Sequence, residues 1–336
     1  MRVIISLINK WYNIGEVKLG DLTVIIPSYN GSELLDICLT SLYKQEIVPN
    51  EIIVINNGSE DETESFLKKK YPEVRIISFS ENQGFAEAVN MGIKNAKFEK
   101  IFILNNDTKL DKECLKYLLR DLEKDYRLDA VAPLIFLSNN KVDSSGSFIN
   151  ELGQAFHDRG RVKKNQNKEI FLITAAAVLI RKNIFKKVGM FEEKFFAYGE
   201  DVDWSFRAQL AGCSFICDQR AVVYHEHKAT SSRNPQFLEY LQFRNAYLFI
   251  LRCFPLKTLL KRGRLFGIFL TNINTFFYLL FKGFILEAIK AELWLILNLP
   301  WILRERLKIQ KNRKVNLEYI DNNLKPKEIR LLKLLK

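Results

Sequence analysis

Three short motifs place side chains that can bind a metal or move a proton next to apolar segments. In the first, "LNNDT", the amides of Asn105 and Asn106 and the carboxylate of Asp107 follow an apolar run. A carboxylate beside amide carbonyls suits a hard cation such as Mg²⁺ or Mn²⁺ and leaves positions open for phosphate oxygens and water. The same residues are also typical of a turn in which the aspartate bonds its own backbone. Taken alone, the motif leaves both interpretations open.

The second motif, "FFAYGEDVDWSFRAQLAG", concentrates charge at the start of a predicted helix. Glu200 and Asp201 follow a glycine, and the N-terminus of a helix favours an ionised carboxylate. An ionised, partly buried carboxylate can take a proton from a hydroxyl nucleophile, so Asp201 is the candidate general base. Asp203 and Arg207 are four residues apart, which predicts a structural ion pair within the helix.

The third motif, "VVYHEHKATSS", follows a predicted strand. His225 and His227 are two residues apart, so they lie on the same face of a strand. We expect His225 to supply a nitrogen ligand to the same cation as Asp107. His227 is interpreted as a packed or exposed histidine.

The elements that must position these motifs alternate along the first half of the chain. Apolar runs that predict strands are followed by segments with one apolar helical face, and the strands are "LTVIIP", "EIIVIN", "VRIISF" and "KIFILN". This rhythm predicts a mostly parallel, Rossmann-like sheet flanked by helices, with ligands beyond the carboxyl ends of the strands. Three strand ends carry polar clusters: Pro27–Asn30, Asn56–Ser59 and Asn105–Asp107. Their convergence favours one shared site over three unrelated turns.

The rhythm loosens after residue 130. Strands are predicted at "AVAPLIF" and "IFLITAAAVLIR", and the intervening "GQAFHDRGRVKKNQNKE" is interpreted as a flexible surface loop. Five cysteines lack zinc-site spacing, and an odd count without a secretory signal indicates reduced thiols in a cytosolic compartment.

The excess of positive charge lies in the last quarter of the chain. Residues 251–336 hold 18 of the 51 basic residues and six of the 39 acidic ones, so the first 250 residues are balanced. The same region contains the uncharged run Leu265 to Phe281 and the tryptophan-bearing "AELWLILNLPWILRERLKIQ". Basic residues with Trp and Leu favour helices lying in an anionic membrane interface, with a spanning or re-entrant segment and ordinary packing helices as alternatives. Because no nucleic-acid motif accompanies the charges, nucleic acid is not an expected partner.

These patterns predict three parts: an N-terminal leader over residues 1–21, a catalytic domain over 22–250 and a basic, amphipathic helical region over 251–336. From about Leu22 to Tyr247 the chain resembles family 2 inverting glycosyltransferases of the GT-A fold, particularly a bacterial rhamnosyltransferase-like branch. The resemblance rests on motifs in family order and spacing, namely "TVIIPSYNG", "INNGSEDET", "ENQGFAEAVNMGI", "LNNDT", "FFAYGEDVDWSFR" and "YHEHKATSS".

The resemblance implies a role for each motif residue. Asp107 and His225 would lie at a divalent cation, Mg²⁺ or Mn²⁺, on the diphosphate, and Asp201, beside Glu200, would be the general base. Arg244, in "YLQFRNAY", falls where these enzymes often carry an arginine suited to a phosphate. The residues implied to bind the nucleotide sugar are Pro27, Tyr29, Asn30, Asn56, Asn57, Gly84, Asn105, Asn106 and Arg244.

The chain also departs from the family pattern. The second strand ends in Asn56-Asn57 where Asp-Asn is usual, and Asn105 replaces the first acid of the DxD motif. Ala175 replaces a common glycine near the expected acceptor site. The donor base and the acceptor therefore stay open, whereas the missing Q/RxxRW motif of processive synthases favours transfer of a single sugar.

The expected function is thus metal-dependent transfer of one sugar, with inversion, from a nucleotide-diphospho-sugar to a hydroxyl. The first candidate donor is dTDP-rhamnose, and the expected acceptor is a lipid-linked glycan or oligosaccharide in bacterial surface polysaccharide synthesis. The enzyme would be cytoplasmic, peripheral on the inner face of the cell membrane, with a homodimer left open. The alternative is a non-catalytic nucleotide-sugar binding protein of the same fold. A sugar nucleotidyltransferase is disfavoured because no glycine-rich, basic triphosphate loop follows the first strand.

Overall fold

The computed structural model describes residues 21–160, 162, 166–226 and 234–326. The leader predicted over residues 1–21 lies outside this part except for Asp21, and so does His227. The fold is mixed α/β, as the sequence predicts.

The first half of the chain forms the predicted strand–helix units. In chain order they are β1 Leu22–Ser28, α1 Ser32–Tyr43, β2 Glu51–Asn57, α2 Thr63–Lys70, β3 Arg75–Phe79, α3 Phe85–Asn95 and β4 Lys100–Leu104. The strands pair in the order β4-β1-β2-β3, all parallel. Val24 and Ile26 of β1 pack into the core on one face of the sheet, and Ile25 packs into the core on the other. Burial on both faces explains why these strands are continuous apolar runs.

The second half completes one sheet of mixed direction. Its elements are β5 Thr108–Leu110, α4 Cys114–Lys124, β6 Ala130–Leu137, β7 Val142–Ser144, β8 Ser147–Asn150, β9 Ala155–His157, β10 Asn167–Glu169, β11 Ala177–Arg181, α5 Ile184–Val188, α6 Glu200–Leu210 and β12 Phe215–His225. The order is β10-β12-β6-β11-β4-β1-β2-β3, where β11 runs antiparallel to both β6 and β4.

Two expectations for the second half were wrong in detail. The strand predicted over residues 170–181 forms only at Ala177–Arg181, because the backbone of Leu172 bonds Ser147 instead of continuing the ladder. The predicted loop over residues 153–169 contains β9, which pairs with β8, and β10, which pairs with β12. Both strands have three residues, too few to show an alternating pattern. The partner of β9 is the neighbouring β8, whereas the partner of β10 is the distant β12.

The C-terminal region is helical, as predicted. It comprises α7 Pro235–Cys253, α8 Leu256–Leu260, α9 Arg264–Phe281, α10 Ile285–Leu297, α11 Leu299–Lys311, α12 Leu317–Asn323 and the short β13 Leu324–Lys325. Strand β13 pairs with β8, so the chain returns to the catalytic part and forms the sheet β13-β8-β9. The predicted boundary at residue 250 falls inside α7 and stays a prediction.

A buried ion network joins α6 to α7. Asp203 bonds Arg207, as the sequence predicts, and also Arg252, which bonds Glu192 in turn. Burial alone would raise the pKa of Asp203, but Arg252 and Arg207 hold it below its usual range. Removing one partner of such a network leaves an uncompensated buried charge, at a cost of about 3–5 kcal/mol. The network therefore fixes the helix that begins with Glu200.

Candidate active site

Polar side chains at the ends of β1 and β2 join the neighbouring loops. Asn56 donates to Glu64 and accepts from the backbone of Ser59 at 3.2 Å. Asn57 donates to the carbonyl of Gly84 at 3.2 Å and accepts from the backbone of Gln83 at 2.9 Å. The two amides thus organise the loops that follow β2 and β3.

The loop that follows β1 is held to the loop that follows β2 in the same way. Asn30 has a φ of 54° and accepts from the backbone of Glu60 at 2.8 Å. Pro27 lies buried in β1 opposite Ile55, and Tyr29 is half-buried in the loop that follows. The structure therefore brings Pro27, Tyr29, Asn30, Asn56 and Asn57 to one edge of the sheet, as the sequence predicts, whereas their contacts with a nucleotide stay a prediction.

Gly84 brings the third loop against the segment that precedes Glu200. Its φ is 86°, and a Cβ atom there would lie 2.6 Å from the carbonyl oxygen of Phe196. Only glycine fits this conformation and this close approach. Backbone geometry and packing thus explain the glycine at position 84, and its predicted contact with a nucleotide sugar stays a prediction.

Asp107 and His225 meet at the end of β4. In the antiparallel pair of β5 and β12, His225 lies opposite Thr108, which places its Nε2 3.1 Å from Oδ1 of Asp107. Burial opposes a charged imidazole, but the bonds with Asp107 and Asp143 outweigh it and raise the pKa of His225 to about 9. Asn106 donates to Ser28 at 3.0 Å, which fixes the turn on β1.

The residues at this corner fit a hard divalent cation. Within the described chain, Oδ1 of Asn105 is buried and has no hydrogen-bond partner, although the backbone N–H of Asn105 is bonded to Ala176. The carboxylate of Asp107 would add an oxygen donor, and the imidazole of His225 would add a nitrogen donor once a bound cation has displaced the proton on its Nε2. No group of three or more His, Cys, Asp or Glu that could hold a metal occurs among the described residues. Mg²⁺ commonly takes its remaining ligands from substrate phosphates and water, so this small donor set suits a diphosphate site.

Glu200 and Asp201 lie side by side in different environments. Asp201 accepts from the backbone of Ala175 at 3.2 Å and of Val202 at 2.8 Å, bonds that favour an ionised carboxylate. Burial nevertheless raises the pKa of Asp201 above its usual range. Burial, followed by the charge of Asp201, raises the pKa of Glu200 well above its usual range. Burial and the neighbouring charge thus favour the protonated form of Glu200, whereas the two backbone hydrogen bonds favour an ionised Asp201, the candidate general base.

The loop before these carboxylates is strained. Phe196 and Tyr198 have φ values of 65° and 66°, which cost about 1–3 kcal/mol each in a residue other than glycine. Asn245 holds the loop by donating to the carbonyls of Ala197 at 2.8 Å and Tyr198 at 2.7 Å. Strain held in this way fixes the backbone that presents Glu200 and Asp201.

Arg244 supports the same loop. Its guanidinium donates to the carbonyls of Lys194 at 2.8 Å and Phe195 at 3.0 Å, and its side chain is buried. The ring of Trp294 lies 4.6 Å from its guanidinium carbon. The phosphate-binding role implied for Arg244 stays a prediction, and these contacts favour a positioning role instead.

Asp143 was not singled out in the sequence. Its Oδ2 lies 3.9 Å from Nδ1 of His225, and its Oδ1 accepts from Arg159 at 3.1 Å. A carboxylate on the far nitrogen of an imidazole commonly orients that ring. The run "VDSSGS" was its only signal in the sequence, a polar stretch without a strand-end position.

We predict that Arg244→Ala destabilises the fold by about 1.5–3 kcal/mol, because two loop carbonyls lose a charged donor. Urea denaturation measures this change, and the exposed Arg304→Ala is the matched control, expected to leave the midpoint unchanged. An Arg244→Ala protein of unchanged stability that binds nucleoside diphosphate weakly would support the phosphate-binding role instead.

The chain is similar to known glycosyltransferases in sequence and in fold. Residues 23–189 match the family model described as glycosyl transferase family 2. The poly-β-1,6-N-acetyl-D-glucosamine synthase of Staphylococcus epidermidis is 27% identical over 209 residues, which cover 60% of this chain and 49% of that protein. The same enzyme of Staphylococcus aureus is 26% identical over 211 residues, covering 61% and 50%. The chain thus spans about half the length of the curated relatives it matches.

Solved structures share the fold. GalNAc-T7 with UDP, GalNAc and Mn²⁺ superposes with a TM-score of 0.57 at 15% identity, covering 70% of this chain and 48% of that one. A fragment of S. aureus TarS in complex with UDP gives 0.50 at 19% identity, covering 69% and 66%. At these identities the likeness shows the fold alone. Together with the family match, it identifies residues 23–189 as a family 2 glycosyltransferase domain of the GT-A fold.

Proposed function

We propose that the chain transfers one sugar from a nucleotide-diphospho-sugar to an acceptor hydroxyl, with inversion and with a divalent cation held at Asp107. The observation that carries the proposal is the pair at the start of α6. Burial favours the neutral form of Glu200, whereas Asp201 accepts two backbone hydrogen bonds and can act as a base. Asp107 and His225, which meet at the end of β4, would hold the cation next to the diphosphate.

In the proposed reaction Asp201 takes the proton from the acceptor hydroxyl. The acceptor oxygen then forms a bond to the anomeric carbon while the bond from that carbon to the diphosphate oxygen breaks. The nucleoside diphosphate leaves with the electron pair, and attack from the opposite side inverts the anomeric centre. A cation bound at the Asp107 corner supplies charge stabilisation for the leaving diphosphate. Asp201 finally releases its proton to solvent.

Two donors follow from different observations. The resemblance of the motifs makes dTDP-rhamnose the first candidate. The relatives are named for a polymer of N-acetylglucosamine, and the structural neighbours hold UDP. UDP-N-acetylglucosamine is therefore the second donor to test, and Mn²⁺ the first cation because GalNAc-T7 holds it.

The C-terminal helices support attachment to a membrane surface. Large apolar side chains on α9, α10 and α11 are exposed, among them Phe266 at 65%, Phe281 at 83% and Leu297 at 79%. The net charge of residues 251–336 is strongly positive. An exposed apolar face bordered by basic residues fits an anionic lipid surface. This placement would bring the enzyme to a lipid-linked acceptor on the cytoplasmic side.

Within the described residues one helical stretch, Leu256–Phe281, has the length and apolar composition that a membrane-crossing helix needs. It is interrupted at Arg262, whose φ is 51°, so the uninterrupted helix α9 has 18 residues. Such a helix is about 27 Å long, slightly less than the hydrocarbon core of a bilayer. Arg264 at its start is buried and bonded to Glu151 at 3.1 Å, which fixes the helix to the catalytic part. A helix lying on the surface agrees with both facts.

We predict that Asp201→Asn lowers kcat at least about a hundredfold, because the carboxamide cannot take the hydroxyl proton. Release of nucleoside diphosphate from UDP-N-acetylglucosamine or dTDP-rhamnose measures the rate. In the wild-type protein the rate should rise with pH through the raised pKa of Asp201, since the base must be ionised. The variant should lose this rise. Asp125→Asn, at a surface ion pair with Arg127, is the matched control. A rate within about tenfold of wild type in Asp201→Asn would reject the assignment.

We predict that the protein binds phosphatidylglycerol vesicles, binds phosphatidylcholine vesicles more weakly, and loses binding as salt screens the basic residues. Vesicle co-sedimentation measures both effects. Phe266→Ser and Phe281→Ser should each weaken binding about tenfold or more, because each removes one aromatic ring that would insert into the bilayer surface. The control is Tyr126→Ser, which changes a side chain that is 87% exposed at the end of α4. A protein that stays with the vesicles through high salt and alkaline carbonate would contradict a peripheral location.

A further inference from the structure

The hairpin of β8 and β9 reaches the catalytic carboxylates from a side that no sequence motif marks. Ser147, at the start of β8, exchanges two backbone hydrogen bonds with Leu172, at 3.0 and 3.1 Å. This bridge fixes the hairpin to residues 172–175, a segment that forms hydrogen bonds with the N-terminal part of α6. The hairpin is therefore part of the wall around Asp201.

The same segment bonds the first turn of α6 at two points. The backbone N–H of Ile173 donates to the hydroxyl of Ser205 at 3.2 Å, and that hydroxyl donates to the carbonyl of Asp201 at 2.6 Å. Two residues along, the N–H of Ala175 donates to the carboxylate of Asp201 at 3.2 Å. Hydrogen bonds at both ends of the segment 172–175 thus connect Ser147 to Asp201.

His157 lies on this wall. It is paired with Ser147 in the β8–β9 ladder, and its Nδ1 is 2.9 Å from the hydroxyl of Ser147. The imidazole is exposed, and its Nε2 makes no hydrogen bond with any described residue. A charge on His157 acts to lower the pKa of Asp201, so the imidazole is close enough to the carboxylate to act on it electrostatically. The hydrogen bond at Nδ1 therefore orients the imidazole, and Nε2 is exposed to solvent.

Strand alternation fixes the face on which the imidazole lies. Phe148 and Phe156, one residue away on each strand, stack on the opposite face with ring centroids 5.6 Å apart. Ile149 is on the same face as His157 and is buried in the core beneath α6. His157 therefore stands at the open rim of that core, beside the helix that carries the base.

His157 and the cation corner are linked by one short segment of chain. Asp143, at one end of the segment 143–147, contacts His225, and Ser147, at the other end, bonds the imidazole of His157. The proposed diphosphate site belongs to the Asp143 end, and the exposed imidazole lies at the Ser147 end.

We propose that His157 binds the acceptor, with its Nε2 hydrogen-bonded to a sugar hydroxyl next to the one that Asp201 deprotonates. This inference rests on the proposed glycosyl transfer. The acceptor class is a sugar with neighbouring hydroxyls, since a single imidazole nitrogen and a carboxylate select two adjacent oxygens. Ser147 positions the ring, because its hydroxyl occupies Nδ1.

Three substitutions of His157 distinguish the role of its Nε2 from the role of its Nδ1. His157→Gln keeps a hydrogen-bonding group at the Nε2 position, His157→Asn keeps one at the Nδ1 position, and His157→Ala keeps neither. Octyl β-glucoside, octyl β-N-acetylglucosaminide and octyl α-rhamnoside serve as acceptors, with the donor that the wild-type protein turns over. We expect His157→Ala and His157→Asn to raise the acceptor KM about three- to tenfold, the worth of one neutral hydrogen bond, and His157→Gln to restore it.

Donor affinity provides the internal comparison. The Kd of the nucleotide sugar with Mn²⁺, measured by calorimetry, should stay the same in all three variants. Phe156→Leu, on the opposite face of β9, is the matched control for the fold of the hairpin. An unchanged acceptor KM in His157→Ala, restoration by Asn instead of Gln, or a matching loss of donor affinity would each overturn the inference.

Failure of the proposed function has a different signature. A wild-type protein that releases no nucleoside diphosphate from any nucleotide sugar would reject glycosyl transfer itself. A wild-type protein that hydrolyses its donor but transfers the sugar to none of the three glycosides would overturn only the sugar-hydroxyl assignment made for His157.

Discussion

The hydrogen bonds that Arg244 and Asn245 make to the loop before Glu200 are the constraint on which the rest of the site depends. They hold Phe196 and Tyr198 in the left-handed region, at a cost of about 1–3 kcal/mol each. Because both donors lie on α7, the C-terminal helices hold the loop that precedes Glu200 and Asp201. Trp294 of α10 packs on Arg244, so these helices also contact the side chain that supports this loop.

The cation corner depends on a second long-range contact. Asp107 and His225 are far apart in sequence and meet because β5 and β12 pair antiparallel just beyond the end of β4. Asp143 then contacts the other nitrogen of His225 and continues into the hairpin that carries His157. The proposed diphosphate side and the proposed acceptor side of the site therefore lie along one continuous stretch of backbone.

Much of this architecture was predictable from the sequence, and the reasons are local. Strands β1 to β4 are buried on both faces and appear as apolar runs, and Asp203 and Arg207 have the spacing of a helical ion pair. Strands β9 and β10 escaped prediction because three residues are too few to carry a periodic signal. Asp143 and the support given by Arg244 escaped because their partners are distant in the chain. His157 escaped because it lies in a segment that the sequence indicates to be a loop.

The Asp107 corner is proposed to hold a cation on a diphosphate. The most direct test of this role is the release of nucleoside diphosphate from UDP-N-acetylglucosamine and dTDP-rhamnose after chelation with EDTA and after addition of Mn²⁺. We predict that EDTA lowers release at least about a hundredfold, and that Mn²⁺ restores it in the wild type but not in Asp107→Ala. Full release in EDTA, or equal restoration in Asp107→Ala, would contradict it.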